Sequence, residues 1–206
     1  MTNHQILLKG LNITIVYQAL NINNIDRQRI KSLLGNTSQV IITEIPPDLL
    51  VFIEPATTNM VQFGDRRIRI TNQASQYTDL SRLATEINDA VPYKQIIAFG
   101  LNYDFQVKLV ESEARIKIMD IFGESLKKYL EKLGSNEDPL VFLPRVIYRI
   151  DGVQHDLILE PPEPSIIGAH LNVHFESNQL PGLEELANLQ RTKYDYCTEI
   201  LNNLLE

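Results

Sequence analysis

Apolar and polar residues alternate at the start of the chain. Leu11, Ile13, Ile15 and Tyr17 interleave with Asn12, Thr14, Val16 and Gln18, and a period of two with one apolar face predicts a half-buried β-strand. The pattern then changes to a helical one in NNIDRQRIKSLLG, where Ile30, Leu33 and Leu34 share a face. Asn23 or Asn24 suits its N-cap and Gly35 its end. VIITEI and LLVFIE return to strand character across Pro46-Pro47-Asp48, a turn signal. MVQF and RRIRIT flank Gly64-Asp65, which predicts a two-residue hairpin turn with glycine first. A helix starting at Thr78 or Asp79 carries Leu80, Leu83, Ala84 and Ile87 on one face, and Pro92 closes the unit.

The rest of the chain repeats this order. Phe99, Leu101, Tyr103, Phe105, Val107 and Leu109 mark a longer alternating strand. A helix is predicted from about Asp120 to Leu133, burying Phe122, Leu126, Tyr129, Leu130 and Leu133 and stopping at Gly134. RVIYRI and VQHDLILE flank Asp151-Gly152, a strong hairpin signal. EPPEP reads as a stiff loop that cannot continue a ladder. HLNVHFE is a strand, and a long helix follows Pro181.

The recurrence extends to residues. Gly10-Leu11-Asn12 returns as Gly100-Leu101-Asn102, an offset of 90. Glu54-Pro55 matches Glu160-Pro161, Gly64 matches Gly168, and Leu80-Leu83-Ala84 matches Leu183-Leu186-Ala187, at offsets of 106, 104 and 103. Extra residues early in the second copy, placed in VESEARIKIMDIFGE, would reconcile these offsets. The expectation is an α+β fold made of two related halves, residues 1–92 and 93–206. Each half reads strand, helix, three or four antiparallel strands, helix. Together they would form one compact pseudo-two-fold domain with helices on one face of a curved antiparallel sheet.

Charge separates the halves. The chain carries a net −7; residues 1–92 hold 8 Lys/Arg against 8 Asp/Glu, and residues 93–206 hold 11 against 18. An acidic chain repels phosphate backbones, which disfavours general nucleic-acid binding. No apolar run nears the roughly 20 residues of a membrane span, and the N-terminus lacks the pattern of a signal peptide. The single cysteine, Cys197, leaves no internal disulfide and no cysteine zinc cluster. A cytoplasmic protein is expected.

Candidate chemistry is sparse. There is no GxGxxG, Walker or GxSxG pattern, so no cofactor is expected and the enzymatic reading is the weaker one. His170 and His174 stand four residues apart in an alternating strand, about 13 Å apart and too far to share a metal ion. If that strand face lines a groove, His155, His170, His174 and Asp104 are the first catalytic candidates, with Asp156 and Glu176 near them. Arg66, Arg67 and Arg69 form a basic strip that could hold an acidic group, although arginines also protect edge strands from unwanted pairing. Cys197, flanked by Asp195 and Glu199, reads as an inert packed thiol. Leu183, Ala187, Gln190, Tyr194, Cys197, Leu201 and Leu204 form a narrow seam on the last helix. That seam lies across its own sheet or, from Tyr194 onward, packs on a second copy. The preferred function is a protein-binding or assembly module using a sheet face or strand edge. The alternatives are a small-molecule-binding or hydrolytic cleft, and nucleic-acid binding through the arginine strip.

Overall fold

The structure, a computed structural model, describes residues 4–35, 39–45, 48–92, 95–110, 112–132 and 142–205. The fold is α+β, with one nine-stranded sheet in the order β2-β3-β4-β5-β1-β6-β9-β8-β7. Its strands are β1 (His4–Tyr17), β2 (Ile41–Ile45), β3 (Leu49–Glu54), β4 (Asn59–Gly64), β5 (Arg67–Asn72), β6 (Ile96–Leu109), β7 (Arg145–Ile150), β8 (Val153–Glu163) and β9 (Ile166–Glu176). The helices are α1 (Arg27–Leu33), α2 (Ser81–Ala90), α3 (Ala114–Lys132) and α4 (Leu183–Leu205). All neighbouring strands run antiparallel. None of the described helices is long and apolar enough to cross a membrane.

The long strands β1 and β6 lie side by side at the centre, and Asn12 faces Asn102 directly. On the same ladder Gly10 faces Asp104 and Thr14 faces Gly100, so the two GLN segments meet about a common midpoint. The alternation predicted for both strands is the observed one. Leu11, Ile13, Ile15, Tyr17, Leu101, Tyr103 and Phe105 are buried. α4 covers part of this apolar side: the Tyr103 hydroxyl donates to the Gln190 carbonyl at 2.6 Å, and the Phe105 and Tyr194 rings lie 5.9 Å apart. Gln190 is also buried. Its amide accepts from Leu80 N–H at 3.1 Å and donates to the Thr78 carbonyl at 2.9 Å, tying α4 to the start of α2.

Several boundaries differ from those expected. Asp26, rather than Asn23 or Asn24, caps α1 by accepting from the Gln28 and Arg29 amides. Ile22–Asn24 instead forms a separate short 3₁₀ turn capped by Asn21. The β4–β5 turn is Asp65-Arg66, one residue later than predicted, with φ of 47° and 58°. Both turn residues are thus left-handed, as a type I′ turn requires. Gly64 instead ends β4 because the chain passes close by: a β-carbon there would lie 3.0 Å from the Asp48 carbonyl oxygen. The Asp151-Gly152 hairpin is as predicted, with φ of 51° and 79°. α3 begins at Ala114, earlier than Asp120, because Ala114 and Ile118 are buried and extend the apolar stripe toward the N-terminus. The segment read as an insertion is therefore largely the first part of this helix. The side chains of Leu126, Tyr129 and Leu130, together with Leu133, Gly134, Pro46 and Pro47, lie outside the described residues.

EPPEP does not end its strand. β8 runs to Glu163, with Glu160 facing Gly168 and Glu163 facing Ile166 across a register irregularity. The two prolines occupy that irregularity, where no regular ladder donor is needed. The Glu-Pro and Gly64/Gly168 matches also fall at different places in the fold. Glu54 ends β3 while Glu160 lies within β8, and Gly64 precedes a hairpin turn while Gly168 follows one. Glu54 closes the turn after β3 by accepting from the Ala56 and Thr57 amides and the Thr57 hydroxyl. Those bonds, the hydroxyl's first, hold its pKa below the usual carboxylate value.

Candidate functional site: the polar face of the sheet

The residues that alternate with the buried ones form connected rows across the sheet. The central row runs Thr71, Asn12, Asn102, Asn172, Asp156, Ile147. One flanking row runs Arg69, Thr14, Gly100, His174, Gln154, Arg149, and the other Gly10, Asp104, His170, Ile158, Arg145. Period-two geometry puts all of these side chains on one side of the sheet. Most are half-buried or exposed.

The row positions bring specific groups together. Asn102 donates its amide to Asn12 Oδ1 at 2.8 Å, and the Thr14 hydroxyl donates to the same oxygen at 2.9 Å. His170 Nδ1 donates to Asp104 Oδ1 at 2.6 Å. Gly10 lies opposite Asp104 on the β1 side. The Asp104 hydrogen bond raises the His170 pKa above its ordinary 6.5, and partial burial opposes the rise. Arg145 grips Asp156 with two nitrogens, at 3.0 and 2.5 Å, a bidentate geometry that fixes both side chains. Thr71 Oγ1 and Asn172 Oδ1 are buried on either side of the Asn12–Asn102 pair and have no hydrogen-bond partner among the described residues.

The structure splits the expected histidine cluster. His170, His174 and Asp104 share the polar face, but His155 does not. His155 faces Val173, a core residue, and is only 2% exposed. Its ring stacks on Tyr148 at 5.2 Å and meets Tyr196 of α4 edge-on at 5.3 Å. Its Nδ1 donates to the Val153 carbonyl at 3.1 Å, leaving Nε2 without a partner among the described residues. Burial holds its pKa below 6.5. The sheet therefore separates His155 from the others. Alternation along VQHDLILE already places His155 in register with Leu157 and Leu159; adjacency to Asp156 obscures that. No group of three or more potential metal ligands occurs among the described residues.

The arginine strip is also divided. Arg66 sits in the turn, and Arg67 and Arg69 project from β5. β5 lies between β4 and β1, so these arginines do not guard an edge. Arg67 and Arg69 instead line a cleft of about 440 Å³ with Gln62, Ile45, Leu49, Asp48 and Asp65. The two aspartates offset the two arginines in that cleft. Further clefts of about 410 and 350 Å³ lie near Pro161–Pro164 and between Tyr148 and Leu204. None of the three is lined by His155, His170, His174 or Asp104.

The seam on α4 faces inward. Cys197 and Leu201 are fully buried in their own chain, and Tyr194 packs against Tyr77 and Tyr103 at 5.0 and 6.0 Å. Burial pushes the Cys197 thiol up to about 12, so it stays protonated and inert. Of the four residues expected to meet a second copy, Cys197 and Leu201 are therefore closed to one, whereas Tyr194 and Leu204 are half-buried. Leu204 borders the 350 Å³ cleft, and Leu183, at the other end of the seam, is exposed.

The chain matches no family model, and no curated protein matches it.

Proposed function

We propose that this chain is a non-enzymatic, cytoplasmic binding or assembly module that takes another protein on the polar face of its sheet. The observation that carries this reading is the central row from Thr71 to Asp156. It combines the Asn12–Asn102 pair with the Arg145–Asp156 pair, whose arginine reaches in from the flanking row. Such a surface offers prearranged hydrogen-bonding groups, and its His170–Asp104 pair lines none of the three clefts described above. Its charge is mixed, with Arg69, Arg145 and Arg149 beside Asp104 and Asp156, which suits a protein partner better than a phosphate backbone. A hydrolytic or small-molecule site is less well supported, because His170 and Asp104 line none of the three clefts described above.

The reading includes two architectural parts. Residues 1–92 and 93–206 are copies of one unit, an assignment supported by the meeting of the GLN segments at Asn12 and Asn102. The helices gather on the apolar side, which the Gln190 and Tyr103 contacts support. A photo-crosslinking residue at His174, on the polar face, tests the function against one at Glu199, on the exposed side of α4. The expected outcome is a discrete protein adduct from position 174 that an Asn172→Arg substitution abolishes. Adducts from position 199 alone, or salt-sensitive capture of DNA or RNA instead, would overturn it.

A further inference from the structure

The two edges of the sheet are unlike. β7 carries Arg145 and Arg149, charges of the kind that discourage edge-to-edge pairing. β2 carries no arginine, lysine or proline, and its pairing with β3 has no irregularity. All five of its residues are exposed, and Ile41, Ile42 and Ile45 are 52%, 38% and 51% accessible. A regular apolar strand open along one side is a template for another strand.

We infer that β2 pairs antiparallel with β2 of a second copy of this chain, joining two sheets edge to edge. The sequence Ile41-Ile42-Thr43-Glu44-Ile45 is self-complementary about Thr43. In that register Ile41 faces Ile45 of the partner subunit, Thr43 faces the partner's Thr43, and Ile42 faces the partner's Glu44. The Ile41–Ile45 contacts form twice, on the side of the sheet where Ile41 and Ile45 neighbour Ile53 and Leu49. Ile45 also borders the 440 Å³ cleft, so Ile41 of the partner subunit arrives at its rim.

Charge favours a second copy over a foreign segment. Glu44 is already met by Arg27 of α1 at 2.8 Å, so two copies bring no unpaired carboxylates together. β2 belongs to residues 1–92, whose 8 basic and 8 acidic residues cancel. The acidic second halves stay at the far ends of the joined sheet, and a charged foreign strand would gain nothing from this neutral edge. The contact is one five-residue strand, smaller than a standard interface of roughly 1,200 Å² or more, and so suits a weak, reversible dimer. The contact lies at the sheet's outer edge, four strands from the central Asn12–Asn102 pair, although Ile45 and Arg69 share one cleft; the dimer is read by sedimentation and the polar face by crosslinking at position 174, so either proposal can fail alone.

Sedimentation of the full chain, from about 1 to about 500 μM, reads the association. The expected result is a reversible monomer–dimer equilibrium. Ile41→Lys with Ile45→Lys sets like charges opposite each other and weakens it about tenfold or more; Ile41→Glu with Ile45→Glu does the same. Mixing the two double variants restores dimers, which mere loss of folding would not. Thr43→Cys forms a disulfide-linked dimer under mild oxidation and Glu44→Cys does not, with buried Cys197 as a silent background. A wild-type chain that stays monomeric throughout, a dimer indifferent to the lysine pair, or equal crosslinking at positions 43 and 44 would overturn the proposal.

Discussion

His155 and His170 lie on neighbouring strands, and the two sides of the sheet treat them oppositely. His155 stacks on Tyr148 and meets Tyr196 edge-on, and burial lowers its pKa. His170 sits half-exposed against Asp104, and that hydrogen bond raises its pKa. The residue type is the same and the strand geometry is the same. What differs is the medium: an imidazolium in an aromatic core loses its hydration, whereas one at the surface keeps water and gains a carboxylate. One side of this sheet holds the fold together, and the other presents chemistry.

Substitutions on the two sides should therefore differ sharply in cost. Phe52 is fully buried and meets Phe63 edge-on at 5.8 Å, so Phe52→Ala should destabilise by about 3–5 kcal/mol in urea unfolding. A loss below about 1 kcal/mol would break the distinction between the sides. Gln190 is the polar exception on the apolar side. Gln190→Ala should cost about 1–3 kcal/mol, because it strands the buried Leu80 amide as well as removing a bond. On the polar side, Asn102→Ala removes one bond but leaves Asn12 Oδ1 its bond from Thr14, and should cost about 0.5–1.5 kcal/mol. A double-mutant cycle with Asn12→Ala measures the coupling directly.

The smallest effect is the most diagnostic. Asp104→Asn should lower the His170 pKa, read from the imidazole proton shifts by NMR. The folded-state pKa of His170 is raised above the ordinary 6.5, so its contribution to stability is fully present below that value. The contribution is lost as pH rises through the folded pKa. The difference in stability between wild type and Asp104→Asn should therefore be largest in mild acid and shrink in alkali. An unchanged His170 titration in the variant would mean that the pair does not form in solution.

Much of the fold is readable from residues alone. The alternation from Leu11 to Tyr17 and from Phe99 to Leu109 predicts both central strands and their buried sides, because a side-chain period of two allows one choice of face. The Asp151-Gly152 turn is equally plain, since left-handed backbone at both positions demands such residues. The Asp65-Arg66 turn falls one residue beyond its sequence signal because arginine is no turn former; the register with β5 decides it. The partnership of Asp104 with His170 is not legible at all. The two residues are far apart in sequence, and only the pairing of β6 with β9 sets them opposite each other.

By itself the sequence determined the element types, the apolar sides of the strands and the uneven charge of the two halves. These follow from local periodicity and composition, which need no knowledge of neighbours. Tertiary structure alone decided which strands sit at the edges, which carboxylate His170 meets, and whether the arginines guard an edge or line a cleft. Strand order is set by contacts between distant segments, and it depends on the burial that the whole sheet achieves rather than on any one stretch. The last helix shows the same division. Its seam is visible as a pattern, but only the tertiary packing shows that Cys197 and Leu201 are buried against their own chain.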